Sequence, residues 1–398
     1  MKARWMLAAL FALSVVTYLD RACISSAKGR IAADLGLSDA AMGLVFGAFS
    51  LGYALAQIPA GWLADRYGAR ALLAGAVALW SAATALTGAA QGLAAMLGIR
   101  LLFGVFEAAA FPGAAKVIAA RLAVDKRGLA NGILFSGSRL GAAVSFPVFA
   151  AMLEALGWRW SFAGLSLLGF AWAGAWWVWF RDAPRAAGPR AAGEAFDWKA
   201  VRGPAALACL QYFASNFTFF LCLTWMFSYL QGRYGLSARE AAVYSAIPLV
   251  AGAASQWLSG MAVDRMYRVA PEWSRRGPAA AGFVLAAAGL LGLPAAATPL
   301  GACVLFACAA FGADSTISPS WTFCQDIGGA CTGRLSGAMN MVGNFGALAS
   351  ASLFPLLKGA DGQPGPYFIA AALLNTAAAA AWMAMKSRRS PGAVPRQA

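Results

Sequence analysis

The chain has 398 residues, of which 61% are hydrophobic and 12% charged, with a mean hydropathy of +0.64 and a formal net charge of +15. A water-soluble domain carries roughly twice that charged fraction, so an arrangement of soluble domains is excluded. The basic surplus could suit a nucleic acid, but its placement beside long apolar runs makes it an orientation signal instead.

The first apolar run covers about 5–28. Its Met1–Arg4 start imitates a secretory signal, but Asp20 and Arg21 follow directly and there is no convincing cleavage site, so a retained first helix is expected. Charge-free runs follow at 40–64, 71–99, 160–180, 203–232, 241–263, 277–313, 335–357 and 362–385. Each reaches the ~20 residues that a helix needs to cross the hydrocarbon. Pro294 and Pro299 divide the 277–313 run in two, and runs at 93–120 and 128–153 carry a few charges. The pattern predicts an all-α membrane protein of about twelve transmembrane helices.

The hydrophilic segment 181–203 reads as a cytoplasmic linker between an N-terminal six-helix half (1–180) and a C-terminal six-helix half with a short tail (204–398). With the N-terminus inside, 21 of the 31 Lys and Arg fall in inner loops and tails. Six (Lys28, Arg30, Arg159, Arg233, Arg239, Lys358) fall outside, and four (Arg21, Arg100, Lys116, Arg139) lie within spans. That bias places the chain in an inner membrane with both termini cytoplasmic.

A repeat supports two halves. GWLADRYGAR at 61–70 returns as GMAVDRMYRV at 260–269, so Asp65-Arg66 recurs as Asp264-Arg265, and SRLGAAVSFP (138–147) is loosely echoed by GNFGALASASLFP (343–355). Such repeats mark secondary transporters. Asp65 lies where the second helix meets the cytoplasm, able to pair with a basic side chain or a neighbouring helix N-terminus. With Arg66, Arg70, Asp264 and Arg265 it forms a candidate conformational latch. Glycine pairs at four-residue spacing (Gly43/Gly47, Gly137/Gly141, Gly333/Gly337) would let helices approach closely.

Charged groups inside spans are costly and mark function. Arg100 and Glu107 are two turns apart on one helix face with Gly104 between them, so the arginine is expected to reach Glu107 and make a conformation-dependent ion pair. The competing reading is a static pair holding the bundle. Lys116, near the cytoplasmic end, is expected to snorkel to the interface. Arg139 lies mid-span with Ser136 and Ser138 beside it. It is expected either to pair with Asp314 or to add a second cation facing the substrate, with the serines as donors. Tyr53 and Gln57 on the second helix, and Asn340 and Asn344 on the eleventh, are each one turn apart and could bind hydroxyls. Trp321, beside Pro319, could wall a cavity. The bland alternative for all five is interhelical packing. Seven scattered cysteines and no histidine predict neither a metal nor a cofactor.

Gly61-x-Leu63-Ala64-Asp65-Arg66-x-Gly68-x-Arg70 resembles the signature loop between helices 2 and 3 of the major facilitator superfamily. Tyr18-Leu-Asp20-Arg21, the run 49–68, RLLFGVFEAAAFPGA (100–114) and GAMNMVGNFG (337–346) are similar to its anion:cation symporter family, which includes bacterial sugar-acid/proton symporters and relatives of sialin and vesicular glutamate transporters. The resemblance implies the major facilitator fold and alternating access between two halves. It also implies that Arg21 clamps a substrate carboxylate, with Tyr18 and Tyr53 beside it, and that Asp20 takes a proton alongside Glu107. The expected partners are a small organic anion (a sugar acid or another carboxylate), protons and the lipid bilayer, and the expected working unit is a monomer. Export or exchange by the same fold is the nearest rival. An integral-membrane enzyme is a distant one, because no G-x-S-x-G elbow or metal-ligand cluster is found.

Overall fold

The computed structural model describes residues 2–182, 198–357, 359 and 363–385. The centre of the expected linker (183–197), Lys358 and the tail beyond 385 lie outside the described residues. Those described fold into fourteen α-helices joined by short turns and 3-10 segments, and no strand occurs among them. Ten helical stretches are long and apolar enough to cross a membrane. One of them, Pro299–Leu353, has 55 residues, more than twice the ~20 of a single crossing.

The chain divides into two compact units, residues 1–121 with 133–187, and residues 122–132 with 188–398. The first holds α1 (Ala3–Leu35), α2 (Asp39–Tyr67), α3 (Ala69–Ala89), α4 (Leu93–Glu107), α5 (Ala110–Arg121) and most of α6 (Arg127–Trp179). Within α6, Gly157 adopts φ 70°, a left-handed conformation that a glycine reaches without strain, and it parts the 53 residues into two helical stretches. Leu19, Ile24, Phe149, Trp158 and Phe162 form this unit's core.

The second unit holds α7 (Trp198–Thr224), α8 (Met226–Tyr234), α9 (Ala238–Val269), α10 (Trp273–Gly292), α11 (Pro299–Ser315), α12 (Ile317–Gly328), α13 (Thr332–Leu353) and α14 (Gly365–Ala384). Its core is aromatic, with Phe217, Tyr229, Phe306, Tyr367 and Phe368 packed together. A 3-10 turn at Leu293–Ala295 and Pro299 at the start of α11 divide the long 277–313 run where its prolines stand. Helix α7 begins at Trp198, inside the segment read as linker.

Two breaks shape the interior. Helix α4 ends at Glu107 and α5 starts at Ala110; α11 ends at Ser315 and α12 starts at Ile317. Each break lies over a proline, Pro112 and Pro319. A proline ring clashes with the carbonyl four residues earlier, here Ala108 and Ser315, and removes one helical hydrogen bond. The acids Glu107 and Asp314 therefore stand at equivalent places, each five residues before its proline. This equal spacing is legible in the sequence.

Glycines bring the helices close at selected points. A Cβ added at Gly104 would collide with the Phe49 carbonyl and approach the Tyr53 amide at 2.8 Å; one at Gly52 would collide with the Leu101 carbonyl. Backbones of α2 and α4 thus touch. Gly137 and Gly141 do the same against Phe11 and Val15 of α1, each at 2.6 Å from a carbonyl. At Gly43 and Gly47 an added Cβ would meet nothing within 4 Å, so that pair does not mediate packing.

Candidate functional site

The charged site of the first unit is built on α1, α2 and α4. The one-residue offset of Asp20 and Arg21 turns them about 100° apart on α1. Asp20 is buried against α3, where its Oδ2 accepts from the Trp80 indole Nε1 at 3.1 Å. Arg21 turns toward α2 and α4. Its Nε donates to Glu107 Oε2 at 2.8 Å, and Glu107 is fully buried. Three rings surround the guanidinium: its Cζ lies 4.3 Å from the Tyr53 centroid, 5.1 Å from Tyr18 and 5.2 Å from Phe49. An arginine fork is suited to such planar, stacked surroundings.

The expected Arg100–Glu107 ion pair is not formed. Arg100 lays its guanidinium over Phe103 at 4.5 Å and Phe49 at 5.1 Å, and Glu107 pairs with Arg21 instead. The reason is Gly104, which admits the backbone of α2 and not a converging side chain. One polar atom on each of four residues remains buried without a hydrogen-bond partner: Asp20 Oδ1, Arg21 Nη2, Arg100 Nε and Glu107 Oε1. Unsatisfied charged groups are expensive in an apolar interior. All four lie on α1 and α4. Tyr53 and Gln57, one turn apart on α2, are both buried.

Arg139 is buried on α6, with its Nη1 3.4 Å from Ser138 Oγ. The serines beside it do not supply free donors. Ser136 gives its hydroxyl to the Ile133 carbonyl at 2.9 Å and Ser138 to Phe135 at 2.6 Å, the local back-bonding that competes with ligand contacts.

In the second unit Asp314 is buried and its carboxylate lies over Gly252 of α9, where any Cβ would collide with it. Trp321 is fully buried and its Nε1 donates to the Tyr212 hydroxyl at 2.9 Å. Asn344 bonds the Asn340 carbonyl of its own helix at 2.7 Å, and Gly343 beside it packs on Tyr212 and Asn216. Three further buried amides, which hydropathy alone does not single out, lie here. Gln211 accepts from Ser320 at 3.0 Å and Trp382 at 3.1 Å, and Asn131 joins Thr322 and Gln325, each at 3.0 Å. Gln256 is the exception, with both its amide nitrogen and oxygen buried and unpartnered. A lone buried Gln in an apolar run was the available signal.

The repeated motif acts differently in its two copies. Asp65 Oδ1 accepts from Lys116 Nζ at 3.0 Å, so this lysine ends in an ion pair with the acid of the motif. Arg66 lies over Trp62 and Tyr67, at 5.1 and 5.5 Å, and Arg70 over Trp177 at 4.1 Å. Asp182 caps the start of α3 through the amides of Ala69 and Arg70. Asp264 instead caps α6, accepting from the Gly128 and Leu129 amides at 2.8 Å each, while Arg265 is exposed. Asp326, beside it in this unit, is held between Arg127 at 3.1 Å and Arg275 at 3.0 Å.

The family model described as Major Facilitator Superfamily matches residues 10–351. The chain belongs to this superfamily. Membership makes it a multi-pass membrane transporter and not an enzyme, with the all-helical fold of about twelve spans that the sequence predicts. Among curated superfamily members, the probable sulfoacetate transporter of Cupriavidus necator is 30% identical over 386 residues, covering 92% of this chain and 90% of the relative. The probable L-galactonate transporter of Escherichia coli is 31% identical over 369 residues (88% and 81%). The hexuronate transporter of Bacillus subtilis is 30% identical over 366 residues (86% and 85%). The solved structure of the proton:xylose symporter XylE bound to 6-bromo-6-deoxy-D-glucose superposes with a TM-score of 0.76 over 96% of both chains at 17% identity, a likeness of fold.

Proposed function

We propose that this superfamily member is a secondary active transporter that carries a small organic anion together with protons. The observation that carries the reading is the buried Arg21–Glu107 pair, with Asp20 on the next residue. A guanidinium held by a carboxylate can exchange that partner for another. When Glu107 takes a proton, Arg21 is released to bind a substrate acid group through its planar fork. When the substrate leaves, an unpaired Arg21 in the bilayer interior is costly, so Glu107 must give up its proton and pair again. Proton and anion movement are thereby linked. Asp20, buried against Trp80, offers a second place for a proton.

The relatives named for sulfoacetate, galactonate and hexuronate share an acidic head group, which supports a substrate that is a sugar acid or a similar carboxylate or sulfonate. Tyr18, Tyr53 and Gln57 in the first unit, with Trp321, Asn340 and Asn344 in the second, are assigned to its remaining polar groups. Asp65, Arg66, Arg70, Asp264 and Arg265 are assigned to a latch between transport states. The charge bias supports an inner-membrane location with both termini in the cytoplasm, and a monomer is the working unit proposed. Purified protein in liposomes that enclose a pH-sensitive dye tests the reading. Sugar acids or sulfonates from a panel should acidify the lumen on uptake; substrate-independent pH traces across the panel would refute it.

A further inference from the structure

Where the start of α1 meets the end of α6, the first unit carries a groove that the transport site does not use. Trp5, Ala8 and Ala9 of α1 and Trp172, Ala175, Trp176 and Trp179 of α6 line it, and its volume is about 620 Å³, within the range of small-molecule sites of ~300–1,000 Å³. The alanines leave the floor open while tryptophans form the walls. Trp5 and Trp179 are exposed; Trp172 and Trp176 are buried and stacked at 5.1 Å, and Trp176 stacks in turn on Phe180 at 4.1 Å. The Trp172 indole fixes the two helices together by donating to the Ala9 carbonyl at 2.8 Å. By contrast the Trp176 indole N–H is buried with no acceptor among the described residues.

The groove is apolar along its length and basic at its end. Lys2 precedes α1, the Arg4 guanidinium lies 5.6 Å from the Trp5 ring, and Arg181 follows α6 with its guanidinium on the carbonyls of that helix. Tryptophan belts mark the membrane–water interface, and basic residues there attract anionic lipid. A second copy of the chain fits poorly, because a two-fold contact places the same patch on both partners and would bring Lys2, Arg4 and Arg181 against their own copies.

We propose that this groove is a binding site for one anionic phospholipid, with an acyl chain between the tryptophans and the phosphate on Lys2 and Arg4. The site is separate from the Arg21–Glu107 pair, so its occupant is distinguishable from the transported anion.

Native mass spectrometry of the full-length protein, titrated with phosphatidylglycerol and with phosphatidylcholine of the same acyl chains, tests it. The wild type should retain phosphatidylglycerol about fivefold better. Ala8→Phe with Ala175→Phe, which fills the groove, should lose the retained lipid. Lys2→Gln with Arg4→Gln should keep both lipids and lose the preference. A folding-independent arm uses wild-type protein in vesicles carrying brominated lipid, where dibromo-phosphatidylglycerol should quench tryptophan fluorescence more than dibromo-phosphatidylcholine. Equal retention by wild type and filled variant, equal quenching by the two lipids, or a wild-type dimer that the filled variant lacks would each overturn the proposal.

Discussion

Arg21 Nε on α1 lies 2.8 Å from Glu107 Oε2 on α4, although Arg100, two turns away on the same helix as Glu107, is the nearer cation in sequence. The acid most exposed to the question of coupling is therefore held by the residue proposed to hold the substrate. Glu107→Gln keeps the shape and removes the exchangeable proton. Uphill uptake driven by a pH gradient should be abolished, while exchange of labelled for unlabelled substrate should continue, since exchange requires no net proton release. Normal gradient-driven accumulation by the Gln variant would remove Glu107 from the coupling step.

Arg21→Lys preserves the charge but loses the planar fork and its stacking on Tyr18, Phe49 and Tyr53. A loss of substrate affinity of ~1.5–3 kcal/mol is expected for such a charge-assisted contact. Calorimetry on the purified variant measures it, and an unchanged Kd would show that the fork is not used.

These two residues show how far the sequence could be read. Hydropathy located the helices because about 20 apolar residues leave no alternative in a bilayer, and the cost of charge located Asp20, Arg21 and Glu107. The partner of Glu107 was not legible. Same-face spacing favoured Arg100, and only the tertiary contact of α2 on Gly104 turns that arginine onto the Phe49 and Phe103 rings. The partner of Lys116 was not legible for a similar reason, since its ion pair with Asp65 spans 51 residues of sequence. Ser136 and Ser138 were read as donors to a ligand, yet a helix interior offers each hydroxyl a nearer carbonyl.

Arg139 and Asp314 are assigned by a double variant. If the two pair, Arg139→Gln and Asp314→Asn should each lower expression and thermal stability, and the double variant should recover much of the loss. If Arg139 instead faces the substrate, Arg139→Gln should fold normally and preference should shift from dicarboxylates toward monocarboxylates. Two unstable single variants combining into a stable double would decide for the pair.

Gln256 is expected to read the substrate or its water. Gln256→Leu removes a buried amide with no protein partner, so thermal stability should hold or rise, while substrate affinity falls severalfold. A variant with unchanged affinity would return Gln256 to a packing role.

Asp264 caps α6 with two short hydrogen bonds. Asp264→Ala should cost about 0.5–2 kcal/mol, and Asp264→Asn, which keeps one acceptor, should cost less. Melting curves in one detergent order the variants, and coincident curves for all three proteins would show that the cap carries no stability.

The glycines of α2 divide this one helix into two regimes of mutational tolerance. At Gly43 and Gly47 a new side chain enters open space, so those positions are free to drift and to adjust how the protein meets its surroundings. At Gly52 a single methyl group would strike the α4 backbone, as it would strike α2 from Gly104. Five residues of one helix separate a position where almost any residue can be accepted from one where none larger can. The narrow choice falls where the backbone sets the distance between the rings around Arg21 and the carboxylate of Glu107. A saturation library over α2 would show that boundary as a step, with the spacing of a charge pair inherited through the absence of side chains.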